Sequence, residues 1–195
     1  MRATRLAFVL ASSAASAAAS PSSPMHAVDA DAAVCTELRA AWGTDPSSCE
    51  RATSRAIRGV GQVDLWHAST QGAQTWAIAV HVGSERWVSP AIAVPSDDCG
   101  AGHCNEVTVV PVVRALHPGG RPAVAVELRI EERWTESESH RTYRSGRRTV
   151  LLVCGDTARD GRRCATFDDG DASCTTKLAD DGTITRTCSE RVDLE

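Results

Sequence analysis

The chain has 195 residues, with 21 basic and 25 acidic side chains and a formal net charge of −4. This length suffices for one domain with a hydrophobic core, and eight cysteines are too few for a fold held together mainly by disulfides. The acidic balance argues against nucleic-acid binding. After the N-terminal segment, no apolar run approaches the ~20 residues that span a bilayer.

The N-terminal segment has the layout of a secretory signal peptide. Arg2 and Arg5 precede an apolar run, and a series of small residues ends at Ala19. We therefore expect a signal peptide over 1–19 and export to the periplasm or the external medium. Cleavage would leave 19 basic and 25 acidic residues, a net charge of −6.

Two regions are expected after the signal peptide. Residues 20–29 are small, polar and proline-bearing, which predicts a flexible tether. Residues 30–195 are predicted to form a single disulfide-stabilised α+β domain, because no later linker or fixed-period repeat divides them.

Helical periodicity begins at Ala30. Val34, Leu38, Ala41 and Trp42 fall on one face of the predicted helix, and Gly43 follows as a stop signal.

A second helix is predicted from Pro46 to about Arg58. Asp45 would be its N-cap, and proline suits the first helical position. Its inward positions are Cys49, Ala52, Ala56 and Val60. Together the two segments predict a short helical hairpin.

From Val63 onward the pattern indicates strands and turns. In the stretch 124–134, apolar and charged residues alternate with a period of two, which predicts one buried and one exposed face. The apolar set is Val124, Val126, Leu128, Ile130 and Trp134, and the charged set is Glu127, Arg129, Glu131 and Arg133. Such alternation is typical of antiparallel sheets. The predicted fold is α+β, with the helical hairpin packed on a twisted antiparallel β-meander of about eight strands. An all-β sandwich with a helical cap is the alternative.

The eight cysteines allow on the order of a hundred pairings, so the sequence leaves their connectivity open. A three-residue loop between Ala179 and Thr183 would set Cys174 directly opposite Cys188, a geometry that suits a disulfide. Nearest-neighbour pairing predicts the other bridges, although no simple turn places Cys154 level with Cys164. The predicted bridges are Cys35–Cys49, Cys99–Cys104, Cys154–Cys164 and Cys174–Cys188.

Two stretches contain side chains of metal-ligating type. Cys99, His103 and Cys104 would suit zinc, but zinc sites of this kind need a second pair of ligands, and in an exported chain a disulfide is favoured. Asp168–Asp171 and Asp180–Gly182 have the composition of calcium loops without the ligand spacing of an EF-hand. Turn formation explains both aspartate-glycine stretches better.

Glu132 is the one charged residue on the apolar face of its predicted strand. A buried carboxylate there would be a candidate general acid. We favour the alternative that the strand is ending or that Glu132 pairs with an arginine across the hairpin.

Motifs of the commoner catalytic and cofactor sites are missing from the sequence. It has no G-x-S-x-G elbow, no H-E-x-x-H pair, no phosphate-binding loop and no C-x-x-C pair, so no cofactor is predicted. We expect an exported, non-catalytic binding module, inhibitor-like in presenting disulfide-braced turns to a protein partner. The alternatives are a secreted hydrolase dependent on Glu132 and a structural component of the cell envelope.

Overall fold

The computed structural model describes residues 22–40, 48–70, 73–100, 103–117, 121–136, 141–157, 161–169, 174–179, 181 and 183–188. Within these ranges the chain forms one helix, α1 (Asp31–Ala40), and fourteen strands. The strands are β1 (Ser23–Pro24), β2 (His26–Val28), β3 (Ser48–Ile57), β4 (Gly61–Thr70), β5 (Ala73–Val82), β6 (Glu85–Val88), β7 (Ile92–Pro95), β8 (Asp98–Gly100), β9 (His103–Leu116), β10 (Ala123–Glu136), β11 (Thr142–Thr157), β12 (Gly161–Asp168), β13 (Cys174–Leu178) and β14 (Ile184–Cys188).

The strands form two six-stranded sheets and one separate hairpin. The first sheet has the order β1-β12-β11-β10-β9-β8. The second has the order β2-β6-β5-β4-β3, with β7 paired to the other half of β5. β13 and β14 pair with each other. All of these pairings are antiparallel, and the strands curl into a half-barrel.

The main core lies between the facing sides of the two sheets. In β10 the even-numbered apolar side chains from Val124 to Ile130 are buried, and Glu127 and Arg129 point to the opposite side, as the sequence pattern predicts. The buried side chains join Leu65 and Ile78 of the second sheet in one apolar cluster. Burial of this cluster is therefore what holds the two sheets together.

The outer side of each sheet is partly covered by a further element. α1 packs on the second sheet through Val34 and Leu38, which share a cluster with Ala79. The β13–β14 hairpin packs on the first sheet, where Leu178 lies in a cluster with Phe167. The layers are thus helix, second sheet, first sheet and hairpin.

The predicted helical hairpin is wrong. The first predicted helix is present as α1, with Val34 and Leu38 buried, while Ala41, Trp42 and Gly43 lie outside the described residues. The segment predicted as the second helix forms β3 instead, at the edge of the second sheet. The fold is therefore mostly β rather than α+β, with more strands than the eight expected.

Strand pairing explains why β3 is not helical. Its spaced alanines resemble a weak helical face, but β3 pairs with β4 along its whole length through a turn that contains Gly59 and leads into Gly61. Ala52 is accommodated as a bulge between Arg51 and Thr53. Tertiary pairing of this kind readily outweighs local helix propensity.

Residues 20–29 are predicted to be a flexible tether, but their described part contains two short strands that pair with the sheets. β1 pairs with β12 in the first sheet, and β2 pairs with β6 in the second. Between them Met25 is buried, and its N–H donates to the carbonyl of Arg162 at 2.9 Å. We call Ser22–Val28 the N-terminal strap, because it joins one edge of each sheet. Strands of two or three residues are too short to leave a periodic signal in the sequence.

Three disulfides join Cys35 to Cys49, Cys99 to Cys104 and Cys154 to Cys164, the same pairs as nearest-neighbour pairing predicts. In the last two, the residues are directly opposite in adjacent strands, with Cα atoms 4.1 Å apart. The expectation that Cys154 is not level with Cys164 is wrong, because the ladder of β11 and β12 continues to the pair Thr157 and Gly161.

The backbone register of the last hairpin matches its sequence prediction. Cys174 is directly opposite Cys188, and the N–H of Ala179 donates to the carbonyl of Thr183 at 2.9 Å. The side chains of the two cysteines lie outside the part of the structure that is described.

Gly61 provides a test of the turn that makes β3 a strand. Gly61→Ala should lower the free energy of unfolding by about 3 kcal/mol or more, because a Cβ would overlap the carbonyl oxygen of His81 and the backbone has φ +120°. Gly83→Ala is the matched control, since Gly83 also has positive φ (+61°) but has no atom within 4 Å of the added Cβ. Gly83→Ala should lower the free energy of unfolding by about 1 kcal/mol. Equal losses in urea denaturation would contradict this interpretation.

Candidate functional site

The most pronounced electrostatic feature is a buried carboxylate on the α1 side of the second sheet. Asp64 in β4 is 1% exposed. Its Oδ1 accepts a hydrogen bond from the Ser54 hydroxyl in β3. Its Oδ2 lies 3.0 Å from Nε2 of His81 in β5 and 3.4 Å from Nη1 of Arg51 in β3. We call Arg51, Ser54, Asp64 and His81 the Asp64 cluster.

The surroundings of Asp64 favour its ionised form. Burial by itself raises the pKa of Asp64, because it removes the charged form from water. The hydrogen bond from Ser54 and the charges of His81 and Arg51 together outweigh burial and hold the pKa below its ordinary value. Asp64 is therefore a carboxylate at neutral pH.

The arrangement of the cluster supports a structural role. A Ser-His-Asp triad needs histidine between serine and aspartate, so that the imidazole can accept the hydroxyl proton. Here Asp64 lies between Ser54 and His81, and Ser54 also accepts a hydrogen bond from Nε2 of Gln62 at 2.6 Å. The cluster therefore joins β3, β4 and β5 and does not activate a nucleophile.

Glu132 lies on β10 opposite Val107 of β9 and Gly146 of β11, neither of which is an acid or a histidine. Its side chain is 23% exposed, and Oε1 is 3.7 Å from Nε of Arg148. This contact matches the favoured interpretation that Glu132 pairs with an arginine across the hairpin.

The zinc ligands considered from the sequence are engaged in another way. The sulfurs of Cys99 and Cys104 are bonded to each other, so neither is a thiolate ligand, and His103 lies in the same hairpin opposite Gly100. Within the described ranges, no group of three or more His, Cys, Asp or Glu side chains could hold a metal ion.

The aspartates of the two suggested calcium loops make local contacts where they are described. Asp169 is buried and accepts hydrogen bonds from the backbone N–H and the hydroxyl of Thr176, which ties the end of β12 to β13. Asp181 accepts a hydrogen bond from the N–H of Thr183 at 2.8 Å. The remaining aspartates and glycines of these loops, apart from Asp168, lie outside the described residues.

β9 has a long edge that lies beyond the short strand β8. β8 pairs only with positions 103–105, so residues 107–113 have no strand partner on this side among the described residues. We call 107–113 the open edge. The N–H of Val107 donates to Oδ1 of Asp97 at 2.6 Å, and the carbonyl of Val113 accepts a hydrogen bond from Nη1 of Arg55 at 2.9 Å.

These two contacts fix which backbone groups of the open edge point outward. In an antiparallel strand, the N–H and C=O of one residue point to the same side, and the side alternates along the chain. The backbone polar groups of Val107 and Val113 point away from β10. Because the register with β10 is regular between them, those of Val109 and Pro111 point away as well. Pro111 offers only a carbonyl.

Neither the Asp64 cluster nor the open edge was predicted from the sequence. A signal for the first is the single acid within the apolar strand 63–68. Of the tryptophans, Trp66 and Trp76 are buried, at 8% and 5% exposed. Trp87 and Trp134 are half-buried.

None of the helical structure that is described has the length and apolar character needed to cross a membrane. Comparison with models of known protein families finds no match, and comparisons with curated proteins and with solved structures find none either.

The pKa of Asp64 predicts a pH-dependent contribution to stability. Asp64→Asn should lower the free energy of unfolding at pH 7 by about 2–3 kcal/mol, because Arg51 loses the buried carboxylate 3.4 Å from its Nη1. The pKa is lower in the folded than in the unfolded state, so the contribution is complete above the unfolded pKa and is lost as the pH falls through the folded value. The difference in the free energy of unfolding between wild type and variant should become smaller below about pH 4.

Urea denaturation of both proteins between neutral and acidic pH measures this difference. Asp29→Asn is the control, since Asp29 is exposed and should show little change at any pH. A difference that stays constant down to about pH 3 would contradict the assignment.

Proposed function

We propose that the chain is an exported, non-catalytic binding module that takes an extended segment of a protein partner along the open edge. Strand addition of this kind gives affinity through backbone hydrogen bonds and specificity through alternate side chains. The observation that carries the proposal is that side chains limit the open edge at both of its ends. Asp97 occupies its first outward N–H and Arg55 its last outward carbonyl, so a short strand fits between them.

The side chains along the open edge fit such a partner. Val110 is 48% exposed, and Val82 is the other large apolar side chain that is exposed among the described residues. Val110 lies on the outer side of the first sheet with Thr108 and the half-buried Val112. A partner strand with apolar residues facing Val110 and Val112 would remove this surface from water.

The neighbouring hairpin supports the same proposal. Cys99 and Cys104 close the β8–β9 hairpin at the end of the open edge, and β8 pairs only with the first residues of β9. A covalently closed hairpin loses less conformational freedom when a partner binds beside it. This feature supports the inhibitor-like form of the proposal, in which a rigid surface is offered to another protein.

Export is part of the proposal. Three disulfides are stable in an oxidising compartment such as the periplasm or the external medium. The basic and apolar order of 1–19 supports the same destination.

The contacts of Glu132 favour binding over hydrolysis. The carboxylate is near Arg148, and the residues opposite it in the sheet supply no acid, base or nucleophile. Such an ion pair across neighbouring strands is ordinary in antiparallel sheets.

A charge placed on the open edge tests the proposal. Protein purified after export is immobilised as wild type, Val110→Lys and Val82→Lys, and each is exposed to periplasmic extract or culture medium. The wild type should retain a partner in stoichiometric amount. Val110→Lys should weaken retention by about tenfold or more, because a lysine on an edge strand disfavours strand addition.

Val82→Lys is the matched control. Val82 is 37% exposed and lies at the end of β5 in the second sheet, so its substitution introduces the same charge elsewhere and should leave retention unchanged. Repeated empty captures with the wild type, or equal retention by Val110→Lys, would refute the proposal.

A further inference from the structure

A pocket opens between the two sheets beside the N-terminal strap. Both sheets, the strap and the β3–β4 turn contribute to it, and its volume is about 80 Å³. One buried water needs about 10–15 Å³, so the pocket has room for several water-sized groups. Its larger apolar side chains are Met25, Val60, Val80, Val82, Pro122 and Val124.

The pocket has one charged side, formed by Arg162 of β12 and Asp156 of β11. Nε of Arg162 donates to Oδ1 of Asp156 at 3.2 Å, and the guanidinium carbon lies 4.8 Å from the centre of the Trp87 ring. Nη1 of Arg162 is buried without a hydrogen-bond partner, and Oε2 of Glu85 lies 4.0 Å from it. A buried N–H group without an acceptor costs free energy, which an acceptor oxygen of a ligand would recover.

The walls of the pocket are held in place before any ligand binds. Cys154 lies in one wall and is bonded to Cys164 on the adjacent strand. Across the two sheets, a Cβ on Gly59 would lie 3.0 Å from Cβ of Pro122, so the two backbones are already in close approach. A preformed pocket binds more tightly because less order has to be gained.

The mouth of the pocket includes one of the two exposed large apolar side chains of the described chain, Val82. An apolar side chain left in water at the opening of an apolar pocket is a common feature of ligand sites.

We propose that this pocket binds a small amphipathic anion. The apolar body lies between the sheets against Val80 and Val124, and the anionic group accepts a hydrogen bond from Nη1 of Arg162. This site is separate from the open edge of β9 and goes beyond the protein partner proposed above.

Calorimetric titration with octanoate, below its micelle-forming concentration, tests the proposal on the full exported protein. Octanoate should bind saturably at one site, and 1-octanol, which has the same chain without the charge, should bind more weakly. Arg162→Gln should weaken octanoate binding by about tenfold and leave the affinity for 1-octanol unchanged.

Two tryptophan variants locate the site. Val82→Trp should abolish binding of both probes, because the larger ring blocks the mouth, while Val110→Trp, a substitution of similar exposure on the other sheet, should leave binding unchanged. Val82→Trp alters an exposed position, so it keeps the test decisive if Arg162→Gln fails to fold.

Three results would overturn the proposal. They are no saturable octanoate binding by the wild type, equal octanoate affinity in Arg162→Gln, and unchanged binding in Val82→Trp. Each is independent of whether Val110→Lys loses its protein partner, so the two proposals stand or fall separately.

Discussion

The face-to-face burial of the two sheets is the constraint on which the rest of the structure depends. Neither sheet has a core of its own on that side, because the inward residues of β10 and those of β4 and β5 belong to one apolar cluster. The two sheets therefore stabilise each other, and elements at their margins are positioned by this packing. The Asp64 cluster adds polar contacts between strands, since its ionised side chain joins three strands of the second sheet.

The two sheets do not close into a barrel, so their edge strands need protection. Unpaired strand edges invite association with other chains, and natural sheets protect them with charges, bulges and prolines. β3 carries a bulge at Ala52 and two exposed arginines, and β9 has Pro111 and side-chain contacts at both ends of its open edge. An edge that is protected at both ends and accessible between them is suited to selective binding of a partner strand.

Local sequence signals predicted the parts of this fold that local pattern controls. The alternation in β10 and the register of Cys174 with Cys188 follow from side-chain period and turn length, and both are present. β3 was mistaken for a helix because its apolar residues are small and widely spaced, and its partner β4 decides its conformation. The Asp64 cluster, the open edge and the pocket depend on contacts between separate strands, which no single segment encodes.

The N-terminal strap has a consequence for the order of folding. Ser22 contacts Arg163, 141 residues away in the sequence, and Ser23 pairs with Cys164. Closing so long a loop is slow, and the strap has no partner in the first sheet until β12 has been synthesised. The strap is therefore expected to be fixed late in folding, after β12 has taken its place in the first sheet.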